Sequence, residues 1–277
     1  MTKRPAKIFI LTDIPVWVRP LAEALEDRGA QVTTAEAVET VVEPDTVVNR
    51  ISTRVARRFP DRAEAFAGAL QEWEDEGVRV VNGADCLRIG FSKLEQMRLF
   101  ASCDVATPRT ASLQAGRRVF PEIPVLIKPP AGGFGKGIRS LAANEEIPVD
   151  CGGGGWIEQE KITPADGAVH RVEILGPDIL YGAATPIVEE EFNYCLANTE
   201  DRTTLTTGNH LPRSVRDSVL KITRAAGMEL GAVEYLVGGD GRPTFIDLNP
   251  VSSLHPKAKD LLGEDPLRLV AEYILSV

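Results

Sequence analysis

The stretch Val125-Leu126-Ile127-Lys128-Pro129-Pro130-Ala131-Gly132-Gly133-Phe134-Gly135-Lys136-Gly137-Ile138 decides how the rest of the chain is read. Val125 to Ile127 are apolar and β-prone. Lys128 ends that strand, and Pro129-Pro130 prevents its continuation as paired sheet. Gly132, Gly133, Gly135 and Gly137 let backbone N–H groups approach an anion with no Cβ in the way. Lys128 and Lys136 supply charge, so a phosphate chain is the natural guest. Two other phosphate motifs do not fit. A P-loop needs Ser or Thr after Gly-Lys and a helix after that, whereas Gly135-Lys136 is followed by Gly137 and the strand-like Ile138-Arg139-Ser140-Leu141. A dinucleotide fingerprint also needs a helix after its glycines. A plain surface hairpin with a loose turn satisfies the same residues, and the remaining chain must decide between them.

Working outward, a chain of 277 residues with 43% hydrophobic residues has ample core for one large domain or for two to three lobes around a cleft. Its net charge of −9 argues against a general nucleic-acid binder. Cys86, Cys103, Cys151 and Cys195 form no CxxC pair, which predicts reduced thiols rather than a zinc or redox site. The apolar run Ile8 to Leu11 is too short for a signal-peptide core or a membrane span, so a soluble cytoplasmic protein with no membrane partner is expected.

Residues 1 to about 88 alternate strand and helix, predicting a small lobe with a mostly parallel sheet. Asp13, Arg50 and Asn82 fall at strand ends, where such sheets meet ligands; each reads equally well as an ordinary loop residue. Ser92 caps the next helix, with Glu95 three residues on. The patterning further predicts a short helix over 111–118, a hairpin about Gly176-Pro177-Asp178, loops and a flap over 189–212, a helix over 215–228 and a terminal helix over 266–275.

The most informative geometry lies near the C-terminus. A two-residue turn at Asp240-Gly241 sets Glu234 directly opposite Asp247, with Asn249 on the same face. Val233, Tyr235, Val237, Ile246 and Leu248 then form the apolar face. Facing carboxylates repel, and two carboxylates with an amide oxygen suit Mg²⁺ shared with phosphates. An exposed pair on a wet edge is the alternative.

The order of these parts resembles the ATP-grasp superfamily, especially carboxylate–amine ligases such as ribosomal-protein glutamate ligases, glutathione synthetase and D-alanine ligases. The likeness runs from about residue 45 to 255. It is carried by Ser92-Lys93, Ala106-Thr107-Pro108-Arg109-Thr110, Val125 to Pro129 with its glycine loop, Ile157-Glu158-Gln159-Glu160-Lys161-Ile162, Arg171, Ala232-Val233-Glu234 and Asp247-Leu248-Asn249-Pro250. It implies an α/β chain with α+β lobes: an N-terminal parallel α/β lobe (1–88), then two α+β lobes (89–160 and 161–277) clamping ATP. It implies Lys93 and Lys128 facing the nucleotide, with Gly132, Gly133, Phe134, Gly135, Lys136 and Gly137 closing over the phosphates. Glu158, Glu160, Lys161 and Ile162 would read adenine, Glu234, Asp247 and Asn249 would hold Mg²⁺, and Arg171 would stand near the reacting phosphate. Taken without that order, Lys93 and Glu160 read as solvated residues, and Arg171 as a partner for Glu173.

The chain departs from that pattern at three places. Val169 stands where relatives often carry an acid, Thr185-Pro186 where glutamate ligases carry another arginine, and Asp247 where Glu is common. These argue against copying a glutamate specificity. The implied activity is ATP-dependent amide formation from a small-molecule carboxylate and an amine, with a peptide or carrier protein also eligible and a homodimer left open. A kinase on the same scaffold and a nucleotide-binding module without chemistry are the rivals.

Overall fold

The computed structural model describes residues 4–36, 43–113, 117–130, 135–151, 155–188, 199 and 201–276. Gly132, Gly133, Phe134 and Cys195 lie outside them, as do residues 189–198 and 200 of the 189–212 stretch.

The first unit is a four-stranded parallel sheet. β1 (Lys7–Thr12) leads through α1 (Pro15–Glu26) to β2 (Gln31–Ala35), followed by β3 (Thr46–Arg50). Short α2 (Arg54–Arg58) and long α3 (Pro60–Asp75) then lead to β4 (Arg79–Val81). The strand order is β2-β1-β3-β4. The middle of β1, Ile8 to Leu11, is apolar because both faces are covered. Ile8 and Ile10 pack toward α1, while Phe9 and Leu11 pack toward α3 through Phe66 and Leu70.

Next come α4 (Ala84–Phe91) and α5 (Lys93–Ser102). As expected, Ser92 Oγ accepts the Glu95 N–H, at 3.3 Å. A small antiparallel sheet follows, formed by β5 (Thr110–Ser112), β6 (Val125–Lys128), β7 (Arg139–Leu141) and β8 (Ile157–Glu160) in the order β5-β8-β6-β7. The hairpin about the glycine stretch is present, pairing Val125 with Leu141. Among the described residues of 111–118, where a helix is expected, Ala111 and Ser112 instead form strand with Thr110 against β8, and this tertiary partner overrides the helix propensity of Ala111.

The third sheet is antiparallel. It contains β9 (Ala168–Leu175), β10 (Asp178–Pro186) and β11 (Thr204–Thr207). After α6 (Arg213–Ala225), β12 (Leu230–Val237) and β13 (Pro243–Asn249) complete it in the order β11-β10-β9-β12-β13. Thr204–Thr207 is thus a strand inside the region read as loop. α5 and α6 cover the apolar face, with Met97, Phe100, Val219 and Ile222 against Val172, Val233, Phe245 and Leu248. The chain closes with α7 (Ala258–Leu262) and α8 (Pro266–Ser276). α8 returns to the first sheet, where Val270 and Ile274 join the core of Ile8, Leu21 and Leu25. No helix among the described residues is long and apolar enough to cross a membrane.

Candidate active site

The β12–β13 ribbon has the register expected at the site but reaches it by another route. The turn is not two residues long: Val237 pairs with Pro243, and Gly238 N–H donates to the Arg242 carbonyl at 2.8 Å. A bulge between Glu234 and Tyr235 then absorbs one residue of β13. The two departures cancel, and Glu234 still faces Asp247. They do not cancel beyond the bulge. Phe245, not Ile246, takes the buried place beside Tyr235 and Leu248.

β9 extends this pair into a row. Arg171 is opposite Glu234, which is opposite Asp247. Two residues along, Glu173, Ala232 and Asn249 form a second row on the same face. Arg171 donates from Nε to Glu173 Oε1 and from Nη1 to Glu234 Oε1, each at 2.6 Å, and from Nη2 to Ser252 Oγ at 2.9 Å. Ser252 Oγ donates to Glu173 Oε1, and Asn249 Nδ2 to Glu234 Oε1 at 3.2 Å. Lys93, first residue of α5, closes on Asp247 from outside the sheet. Arg171 therefore pairs with both Glu173 and Glu234.

Burial sets the electrostatics. It raises Glu234, which Arg171 opposes and the Asp247 carboxylate reinforces. Burial alone would lower Arg171, but Glu173 and Glu234 outweigh it and fix the guanidinium as charged. Lys128, last residue of β6, has its ammonium brought down to about 8 by burial and by Lys93, against the pull of Asp247 and Glu234. The start of α5 and strands of two sheets thus bring Lys93, Lys128, Glu234 and Asp247 into one field.

Among the described residues no three of His, Cys, Asp and Glu gather as a metal cluster. The candidate donor set is two carboxylates and one amide, and their charges are met by Lys93 and Arg171. Facing carboxylates on rigid strands with a neighbouring amide fit a hard divalent cation whose other ligands come from phosphate and water.

The remaining candidates sort differently. Gly135 and Gly137 have φ of 65° and 84°, which suits glycine in the turn, and the Lys136 carbonyl between them accepts from Arg57 Nη1 at 3.5 Å. Glu160 Oε2 accepts the Arg109 N–H at 3.3 Å. Lys161 donates its N–H to the Pro124 carbonyl at 3.0 Å and its ammonium to Ser140 at 2.9 Å. Ile162 follows, partly buried. The Glu158 side chain, expected beside the adenine, points into the protein. It is fully buried, bound to Arg118 Nε at 2.6 Å and to the N–H groups of Val119 and Phe120.

Sequence reading left Glu173 as no more than a partner for Arg171 and missed Ser252. Glu173 shares a face with Arg171 by alternation, which could have flagged it; Ser252 carries no local signal. Arg50, left open at its strand end, donates to the Ser252 carbonyl at 2.8 Å. Burial lowers it to about 10, with Glu173 opposing.

Neither a protein-family model nor a curated protein sequence matches the chain. Solved structures do. The ATP-grasp ligase PsnB, complexed with a phosphomimetic variant of a minimal precursor, Mg and ADP, superposes with a TM-score of 0.68 at 18% identity, covering 98% of each chain. D-cycloserine synthetase DcsG gives 0.68 at 15% identity over 96% of this chain and 98% of that one. D-alanine–D-alanine ligase from Bacillus anthracis, complexed with ATP, gives 0.65 at 14% identity over 99% and 97%. With its parallel N-terminal sheet and two antiparallel sheets meeting at one charged cluster, the chain has the ATP-grasp fold.

Proposed function

We propose that this protein is an ATP-dependent ligase that joins a carboxylate to an amine. The observation that carries the reading is the row Arg171–Glu234–Asp247, closed by Lys93 and set within the field of Lys128. The substrate carboxylate would attack the γ-phosphate to give an acyl phosphate and ADP, and an amine would then displace phosphate. Carboxylate and triphosphate are both anionic, so their approach requires neutralisation. Lys93 and Lys128 would bind phosphate oxygens, and Arg171, held by Glu173 and Ser252, would stabilise charge developing on the transferred group. Glu234, Asp247 and Asn249 would hold Mg²⁺, which when bound screens phosphate charge and polarises the reacting phosphorus. The glycine turn after β6 would exclude water that hydrolyses the acyl phosphate. PsnB was solved with precursor peptide PsnA2 and AMPPNP, which supports a peptide as one eligible acid or amine.

Turnover with ¹⁸O-carboxylate acid tests this. The label should appear in released phosphate, one atom per amide formed. Amide without labelled phosphate refutes the acyl-phosphate route, and ADP without free phosphate points to a kinase.

A further inference from the structure

Gln96 is a fully buried amide on α5, one turn after Lys93. Its helix neighbours Met97 and Phe100 are core residues. An amide in such surroundings is disfavoured unless both of its ends are paired, and here both ends are paired to one residue of β13. Gln96 Nε2 donates to the Leu248 carbonyl at 3.0 Å, and Gln96 Oε1 accepts the Leu248 N–H at 3.2 Å. The same Nε2 also reaches the Gly90 carbonyl, at 3.5 Å.

β13 is the last strand of its sheet, so its outer side has no further strand to meet among the described residues. At Leu248 the Gln96 amide takes the place of that strand, offering one donor and one acceptor. The residue it grips lies between Asp247 and Asn249, two of the three candidate cation ligands. β12 holds this segment from the inner side through its pairing with Ala232, Val233 and Glu234. Gln96 holds it from the outer side.

The Leu248 N–H is shared. It also donates to Asp247 Oδ1 at 2.9 Å, the oxygen on which Lys93 closes. A carboxylate oxygen that accepts two donors has less lone-pair capacity left for a cation. The Gln96 acceptor takes part of that N–H, and Asp247 gives up correspondingly less to it. Without the acceptor, the N–H belongs to Asp247 alone and draws the carboxylate back onto its own main chain.

Resting on the ligase reading and its magnesium site, we infer that Gln96 is a positioning residue for the cation. It fixes the Asp247–Leu248–Asn249 segment from the open edge of the sheet and frees the Asp247 carboxylate for Mg²⁺. It acts through Asp247 and Asn249 and not by contact with the ion.

Calorimetric titration of the full chain with a non-hydrolysable ATP analogue, once with Mg²⁺ and once with a chelator, measures how far the cation tightens nucleotide binding. Gln96→Met keeps the length of the side chain and removes both bonds to Leu248. In it the gain from Mg²⁺ should fall about tenfold or more, with metal-free nucleotide binding unchanged. Gln96→Glu keeps the length and the acceptor, and should retain most of the gain even where Gln96→Met fails to fold. Met97→Leu, next on the helix and in the same core, controls for packing and should leave the gain intact whatever it does to the unfolding midpoint. An undiminished gain in Gln96→Met, a loss of about tenfold or more in Gln96→Glu, or the same loss in Met97→Leu overturns the inference and leaves the ligase reading standing. A parent chain whose nucleotide binding gains nothing from Mg²⁺ overturns both.

Discussion

Arg171 and Glu234 stand opposite each other on adjacent strands, joined by a 2.6 Å bond from Nη1 to Oε1. The same guanidinium reaches Glu173 and Ser252, so three partners share one planar fork. Lysine cannot reproduce that fork. Arg171→Lys is expected to lower kcat for ADP release by about 10²-fold or more, with a smaller change in KM for ATP. Glu234→Gln should instead weaken Mg-ATP binding by about 10 to 100-fold while the variant stays folded, because glutamine still accepts from Arg171. Steady-state ADP release with calorimetry separates the two. Equal effects on kcat and KM in both variants would contradict the assigned roles.

Lys128 carries a pH prediction. Its folded pKa is about 8, below the ordinary 10.5, because burial and Lys93 disfavour the charged form. Between those values the unfolded chain holds a proton that the folded protein lacks. Stability from this group therefore rises with pH across the window from about 8 to 10.5. Triphosphate binding favours the ammonium and reverses the shift. Nucleotide binding at pH 8.5 should take up a proton at Lys128, visible as a heat that varies with buffer ionisation enthalpy. Lys128→Arg should bind nucleotide without that uptake, and proton uptake that persists in it would rule Lys128 out as the source.

Much of this site was legible because strand alternation is rigid. Arg171, Glu234, Asp247 and Asn249 share one face through the period of two, and the Glu234–Asp247 facing survived an error of turn length because a bulge compensated it. Ile246 shows the other side: one extra residue exchanged it with Phe245 in the core. Periodicity cannot report such a shift, since both residues are apolar. Ala111 and Ser112 read as the start of a helix because their pairing partners lie more than forty residues away. Glu158 shows a further limit, since a motif gives a residue's position and not its direction; its carboxylate points at Arg118.

That pair makes its own prediction. Arg118 donates from Nε to Glu158, from Nη1 to the carbonyls of Ala142 and Glu145, and from Nη2 to those of Phe120 and Ile123. Its side chain is 8% exposed and that of Glu158 is 0%. Removing one partner leaves the other charged and buried. Glu158→Ala should cost about 3–5 kcal/mol in urea unfolding, with KM for ATP in the remaining folded protein nearly unchanged. A stable Glu158→Ala with lost nucleotide binding would restore the adenine role.

Asn82 ties the parallel sheet to the strands that carry the site. It is fully buried with φ of 60°, a conformation asparagine tolerates better than most side chains. Its Nδ2 donates to the carbonyls of Leu230 and Pro250, and its Oδ1 accepts the N–H groups of Glu229 and Leu230. Those partners lie at the start of β12 and just past Asn249, where β13 ends. Asn82→Ala strands four polar groups and should cost about 3 kcal/mol or more. Asn82→Gly separates the causes, since it accepts the backbone angle and loses only the bonds. Both variants should unfold early in urea, and their folded fractions should show raised KM for ATP as the two strands lose a common anchor. If Asn82→Gly matched the parent chain in both measurements, the conformation alone would be the function of this residue.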